Sequence, residues 1–202
     1  AAFDHRIVAV ERGHGRFRHR AYRLATIAST PAETSRRLHR DAAWVLEDRG
    51  ALPLEVGLHL SKASEHQACI DPLLEGLETL VRANARKQAA RIVERLHLHL
   101  NRVPRLGANL ERRLRWLLAS GDLWLLVDHE EKCSRAFRKA ISIARYLDRD
   151  VERSRAMVGL ADLAQHKGRF LSAIQLLSEA ASVLAGDRSE AGRLVRARAL
   201  LV

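Results

Sequence analysis

Cysteine is nearly missing from this chain: Cys69 and Cys133 are the only two in 202 residues. Two thiols cannot build a disulfide framework, so a reducing, cytoplasmic setting is expected. Long apolar runs are missing too. The longest, Trp116 to Val127, is broken by Ser120, Gly121 and Asp122, whereas a membrane span needs about 20 apolar residues. The opening AAFDHRIVAVERG has no basic segment followed by an apolar one, so no secretory signal is expected. Neither G-x-x-x-x-G-K-S/T nor G-x-S-x-G occurs, which removes the phosphate loop and the nucleophile elbow from consideration. Aromatic residues make up only 4% of the chain. With Leu and Ala dominant, the composition leans towards helix.

Arginine is what the chain has in excess. It supplies 30 of the 35 basic residues, lysine only 5, and the formal net charge is +11. The charge is unevenly spread. Residues 1–49 carry +4, 50–81 carry −4, 82–115 carry +8 and 116–202 carry +3. An excess concentrated in one stretch of 34 residues argues against a general nucleic-acid-coating role.

The first residues have a β character that the rest lacks. Ile7-Val8-Ala9-Val10 and Arg16-Phe17-Arg18 are β-prone, and Gly13 and Gly15 between them suit a hairpin turn. From there the pattern is helical. Thr30-Pro31-Ala32-Glu33 predicts a capping box with proline at the first helical position. The helix it opens has Leu38, Ala42, Val45 and Leu46 as its expected buried face. Pro53 starts another, and Ser64 with Gln67 caps a third, which Asp71-Pro72 restarts or kinks. Further helices are expected over about 84–100, 107–127, 129–147, 151–167, 169–185 and 188–202, with short connections. Such a chain folds as a stack of helical hairpins.

An internal repeat supports the stack. At an offset of 40 residues, Leu117 pairs with Met157, Gly121 with Ala161, Asp128 with Gly168, Cys133 with Ala173, Phe137 with Leu177 and Ala140 with Ala180. Small residues recur where helices must approach closely and large ones where they interlock. The next unit begins at Ala197, Leu200 and Leu201 and has only its first helix, so a fragment of something longer is expected. The uncovered row Leu194, Ala197, Leu200 and Leu201 is then a candidate for self-association.

Through these residues the second half, 107–202, resembles a tetratricopeptide-type array. The 40-residue spacing is similar to the longer variant of maltose-regulator-like transcription activators and related kinase-linked ATPases. In the first half, Phe17-Arg18-His19, Leu38-His39 and Gly57-Leu58-His59-Leu60 resemble the junction after the winged helix of bacterial multidomain signal-transduction (STAND) ATPases. The resemblance implies an all-α chain, a right-handed α/α superhelix of tetratricopeptide-like hairpins preceded by a short N-terminal β-hairpin, the wing. It divides the chain into a winged-helix remnant (1–50), a helical linker of degenerate repeats (51–106) and the repeats themselves (107–202), the last incomplete. It also implies that His19 senses a bound diphosphate in the full-length parent, although Arg20 stands where an acidic residue is usual there. By the same analogy, Arg155, Asp162, Gln165 and His166 would line a partner groove.

Catalytic and metal-ligating patterns are weak. His97 and His99 are two apart and point to different helical faces. His129 and Cys133 share a spacing of four, but zinc would need two further ligands, and Cys133 falls at a small packing position. Glu130–Glu131 and Asp148–Asp150 sit at helix starts, where acids favour the dipole. No metal, cofactor or catalytic residue is expected. A basic stripe is: Lys87, Arg91, Arg95 and His99 follow each other four apart, Arg102 extends them, and Arg112, Arg113 and Arg115 come next. It suits plain solvation, an acidic protein surface or nucleic-acid phosphate. No aromatic interleaves it, and Trp116 and Trp124 are expected in the core. The leading expectation is a non-catalytic interaction or sensor scaffold with a protein or peptide partner, or a neighbouring domain of its parent. The alternative is a basic helical nucleic-acid-binding module using residues 82–115.

Overall fold

Helices end where one residue can turn left-handed; Gly50 does so with the Ala51 N–H on Leu46 O at 2.9 Å, and the later stops fall mostly 20 residues apart. The computed structural model describes residues 8–11, 14–186, 189–190, 192–193, 195 and 197. Ser64, Asn84, Asp128, Asp148 and Gly168 all have φ between 53° and 71°. In each case the next residue's N–H reaches back to the carbonyl five residues before it: Glu65 to Leu60, Ala85 to Leu80, His129 to Trp124, Arg149 to Ala144 and Arg169 to Ala164, at 2.8–3.0 Å. That is the Schellman closure of a helix, and glycine, asparagine and aspartate bear its backbone best. The positions 64 and 84 lie 20 residues apart, as do 128, 148 and 168. Between 84 and 128 the interval is 44, four more than two such units.

The elements follow from these stops. Strands β1 (Val8–Glu11) and β2 (His14–Phe17) pair antiparallel, Val8 opposite Phe17 and Glu11 opposite His14. Gly15 therefore sits in the ladder opposite Val10 and is not a turn residue. Nine helices follow among the described residues: α1 (Arg20–Ser29), α2 (Ala32–Asp48), α3 (Pro53–Lys62), α4 (Ile70–Arg82), α5 (Arg86–Leu100), α6 (Ala108–Leu126), α7 (Glu130–Tyr146), α8 (Asp150–His166) and α9 (Phe170–Val183). The described chain is thus predominantly helical, and no helix in it is long and apolar enough to cross a membrane.

From α2 to α9 each helix packs on the next, and α6 additionally touches α4 and α8. The core is three linked clusters. The first gathers Leu73, Leu74 and Leu77 of α4 with Ile92 and Leu96 of α5 and Ala119 and Leu123 of α6. The second centres on Phe137, with Leu117, Leu118 and Leu163 around it. The third joins Met157 and Ala161 of α8 to Ala173 and Leu177 of α9, with Val195 against it. Phe137 is fully buried and wedges between two glycines. A Cβ on Gly121 or Gly159 would lie 2.5 or 2.4 Å from its ring. Only glycine lets α6 and α8 approach the ring this closely.

Two expectations for the N-terminal helices need correcting. The capping box does not form: Pro31 is the N-cap of α2 with no side-chain cap. Thr30 Oγ1 instead donates to Thr26 O at 2.6 Å, and Glu33 pairs with Arg36 at 2.5 Å. Thr30 closes α1, and Arg36, one turn on, takes the carboxylate the box needed. Nor is the apolar row of α2 buried. Only Ala43 is, while Leu38 and Trp44 stay exposed, because among the described helices only α3 packs extensively against α2. At the other end Ala197 is exposed, and Leu194, Leu200 and Leu201, on which the expected self-association rests, lie outside the described residues.

Candidate functional site

Where the regular interval fails, the stack opens. The links before α7, α8 and α9 are three residues long, but α5 and α6 are separated by Asn101–Gly107. Pro104, Arg105, Leu106 and Gly107 are exposed along it. Between α5 and α7, with α6 as floor, lies a cleft of about 610 Å³. Trp116 and Trp124 of α6 line it, with Val93, Leu110, Leu117 and Ile143. Both indoles are partly buried and pack against the core, as expected, but each keeps an edge open to the cleft. Trp116 is held in place: its Nε1–H donates to Val93 O at 3.2 Å, and His97 stacks on it with 5.4 Å between ring centres. Lys132 Nζ lies 4.4 Å above the Trp124 ring, a cation–π contact.

Around this aromatic floor the charge is mostly positive. Arg105, Arg113, Lys132, Arg135 and Lys139 line the cleft against a single carboxylate, Glu94. Arg135 is paired with Glu131, whereas Arg105, Arg113, Lys132 and Lys139 form no ion pair among the described residues. Lys132, Arg135 and Lys139 come at i, i+3 and i+7 on α7, one helical face. A spacing of seven puts the two lysines about 10 Å apart along the axis. Arg113 is the buried member, 9% exposed. A terminal nitrogen donates to the Leu100 carbonyl, and its Nε has no hydrogen-bond partner.

The expected basic stripe does not survive as a face. Steps of four residues drift by about 40° each on a 3.6-residue helix, so the fourth position is turned by about 120°. Lys87 and Arg91 are exposed and Arg95 half-buried, but His99 is carried inward and is 6% exposed. Its Nε2 lies 2.7 Å from Ser61 Oγ and its Nδ1 2.8 Å from His66 Nδ1. Arg102 is exposed. Arg112 is taken up by Asp71, Nε to Oδ1 at 2.8 Å, and Arg115 by Glu78 at 3.0 Å. The acidic stretch 50–81 thus neutralises part of the basic stretch behind it. Of the stripe residues only Arg113 reaches the cleft.

The four residues expected to face a partner groove lie on α8, away from the cleft. Arg155 is tied to Asp122 at 2.6 Å; Asp162 and Gln165 are half-buried and His166 exposed. His19 caps α1 without a side-chain hydrogen bond and lies edge-on to Tyr22. His129 packs edge-on against Trp124 and Cys133 is fully buried, so the two do not form a ligand pair. No family model matches the chain, and no curated protein or solved structure is significantly similar to it.

Burial pushes both the Cys69 and Cys133 thiols up to about 12, which keeps them protonated and poorly nucleophilic. No three His, Cys, Asp or Glu side chains gather as metal ligands among the described residues. What the cleft offers is a fixed aromatic floor and unpaired cations. The signals for it were in the sequence: the lengthened interval between Asn84 and Asp128, and the i, i+3, i+7 cations of α7.

Proposed function

We propose that the chain is a non-catalytic interaction scaffold whose working surface is the α5–α6–α7 cleft, and that the occupant is an acidic, amphipathic segment of a partner protein. The observation that carries this reading is the lining: two partly buried tryptophans ringed by five cations and one carboxylate. Apolar contact supplies affinity, and the cations supply orientation and selection. An amphipathic helix laid in a groove presents acids on one face at the spacing at which α7 presents cations. The second reading, nucleic acid, draws on the same charge. It is the weaker one, because His97 covers one face of Trp116 and Lys132 sits over Trp124, where a stacked base would need to lie.

The wider frame is part of the proposal. The 20-residue turn interval and the 40-residue repeat support a right-handed superhelix of tetratricopeptide-like hairpins. The Phe17-Arg18-His19 and Leu38-His39 resemblance supports membership of a larger cytoplasmic signalling ATPase or transcription regulator, in which the array is the sensor. Calorimetric titration tests the function. A peptide with glutamates at i and i+4 and leucines opposite should bind, weakening only moderately with salt, and Lys132→Glu/Lys139→Glu should abolish it. Tighter binding of oligodeoxythymidylate, falling steeply with salt, would favour the nucleic-acid reading.

A further inference from the structure

A buried guanidinium is stable only when its charge is compensated and its donors are satisfied. Arg113 meets neither condition. It is 9% exposed, one nitrogen is spent on a backbone carbonyl, its Nε has no partner, and no carboxylate pairs with it among the described residues. Burial first, and then the like charge of Arg105, hold its pKa below the usual arginine value. By contrast, Arg112 and Arg115 beside it on α6 each have a carboxylate on α4. Arg113 instead lines the cleft, at the end formed by the α5–α6 link.

We propose that Arg113, assisted by Arg105, is an anion seat in the cleft, and that it receives a side-chain carboxylate of the acidic partner segment. The inference rests on the cleft reading above and sharpens it to one contact. A guanidinium fork matches a carboxylate in bidentate geometry, and Trp116 and Leu117 next to it exclude water from the pair. The apolar lining favours an amphipathic chain over a bare phosphate. With a net charge of +11, a second copy of this chain is a poor source of the anion.

The experiment uses the full chain and follows tryptophan fluorescence, since Trp116 stands one turn from Arg113. The probes are the glutamate–leucine peptide, the same peptide with glutamines, and inorganic phosphate. The glutamate peptide should bind the parent, the glutamine peptide at least about tenfold more weakly, and Arg113→Met should weaken the glutamate peptide by about tenfold or more, as expected for a charged hydrogen bond. Arg113→Met should also melt no lower than the parent, because it removes an uncompensated charge. Equal binding of both peptides, or parental affinity in Arg113→Met, overturns the seat. If Lys132→Glu/Lys139→Glu still weakens the peptide in that case, the cleft reading stands without it. An Arg113→Met protein that melts well below the parent shows a structural tie to Leu100 and also overturns the seat. Binding of phosphate but of neither peptide assigns the anion to another class and overturns the carboxylate. No binding of any probe overturns the cleft reading itself.

Discussion

Phe137 shows how single residues set the stack. Its ring fills the space that Gly121 and Gly159 leave, and it is fully buried, so it cannot swing aside. Gly159→Ala should destabilise the chain by about 1–3 kcal/mol through overpacking, and Phe137→Leu in the same protein should recover part of the loss. Chemical denaturation of the two variants measures this; a Gly159→Ala protein as stable as the parent would mean that α7 and α8 pack differently. Buried His99 and partly buried His39 predict a pH effect. Burial first, then His66, Arg95 and Arg102, hold the His99 pKa below 6.5; burial first, then Lys62 and His59, do the same for His39. Each therefore binds protons less readily folded than unfolded, so its stabilising contribution is complete above pH 6.5 and is lost as the pH falls below that value. Moreover, the 2.8 Å contact between His66 Nδ1 and His99 Nδ1 needs one N–H and one lone pair. Melting temperature should drop on acidification below 6.5, and less so in His99→Gln/His39→Gln; parallel pH profiles would remove these rings as the cause. At this scale the repeat positions of Gly121, Cys133 and Phe137 were readable from the sequence. The inward turn of His99 was not read, because a four-residue step was taken as one face.

The elements are set by their stops. Aspartate at 128 and 148 and glycine at 168 close one helix after another, and that punctuation is why the ends of α6 to α9 could be located from sequence to within two residues. By contrast, α4 starts at Ile70 and not at the expected Ser64 cap, because Ser64 itself turns left-handed and closes α3. The capping box at Thr30–Glu33 failed because both partners had nearer options. The feature that positions the cleft is four residues of link. Deleting Pro104–Gly107, all exposed, restores the three-residue connection found before α7, α8 and α9. The shortened protein should stay folded with nearly parental helicity, while α5 draws towards α7 and the Trp116 emission shifts to shorter wavelength. Circular dichroism and fluorescence check the two halves. A shortened protein that unfolds would show that the link itself carries stability; unchanged emission would show that the link does not hold the cleft open.

For the whole molecule, charge distribution was more informative than its total. The +8 of residues 82–115 looked like a single surface, yet part of it answers the −4 of residues 50–81 through Asp71–Arg112 and Glu78–Arg115. What stays unpaired on the cleft wall comes from three separate stretches, the link, α6 and α7, and only folding brings them together. That is why the helical architecture was legible in one dimension, whereas the site left only partial signals there, a lengthened interval and the cations of α7. Mapping amide and indole NMR shifts during titration with the glutamate–leucine peptide separates the candidate surfaces in one measurement. The account predicts saturating shifts at the Trp116 and Trp124 indoles, at Val93 and His97, and along Lys132–Ile143, with Lys87, Arg91, Arg155 and His166 unmoved. Shifts confined to Lys87–Arg91 or to the α8 residues, or none at saturating peptide, would contradict it.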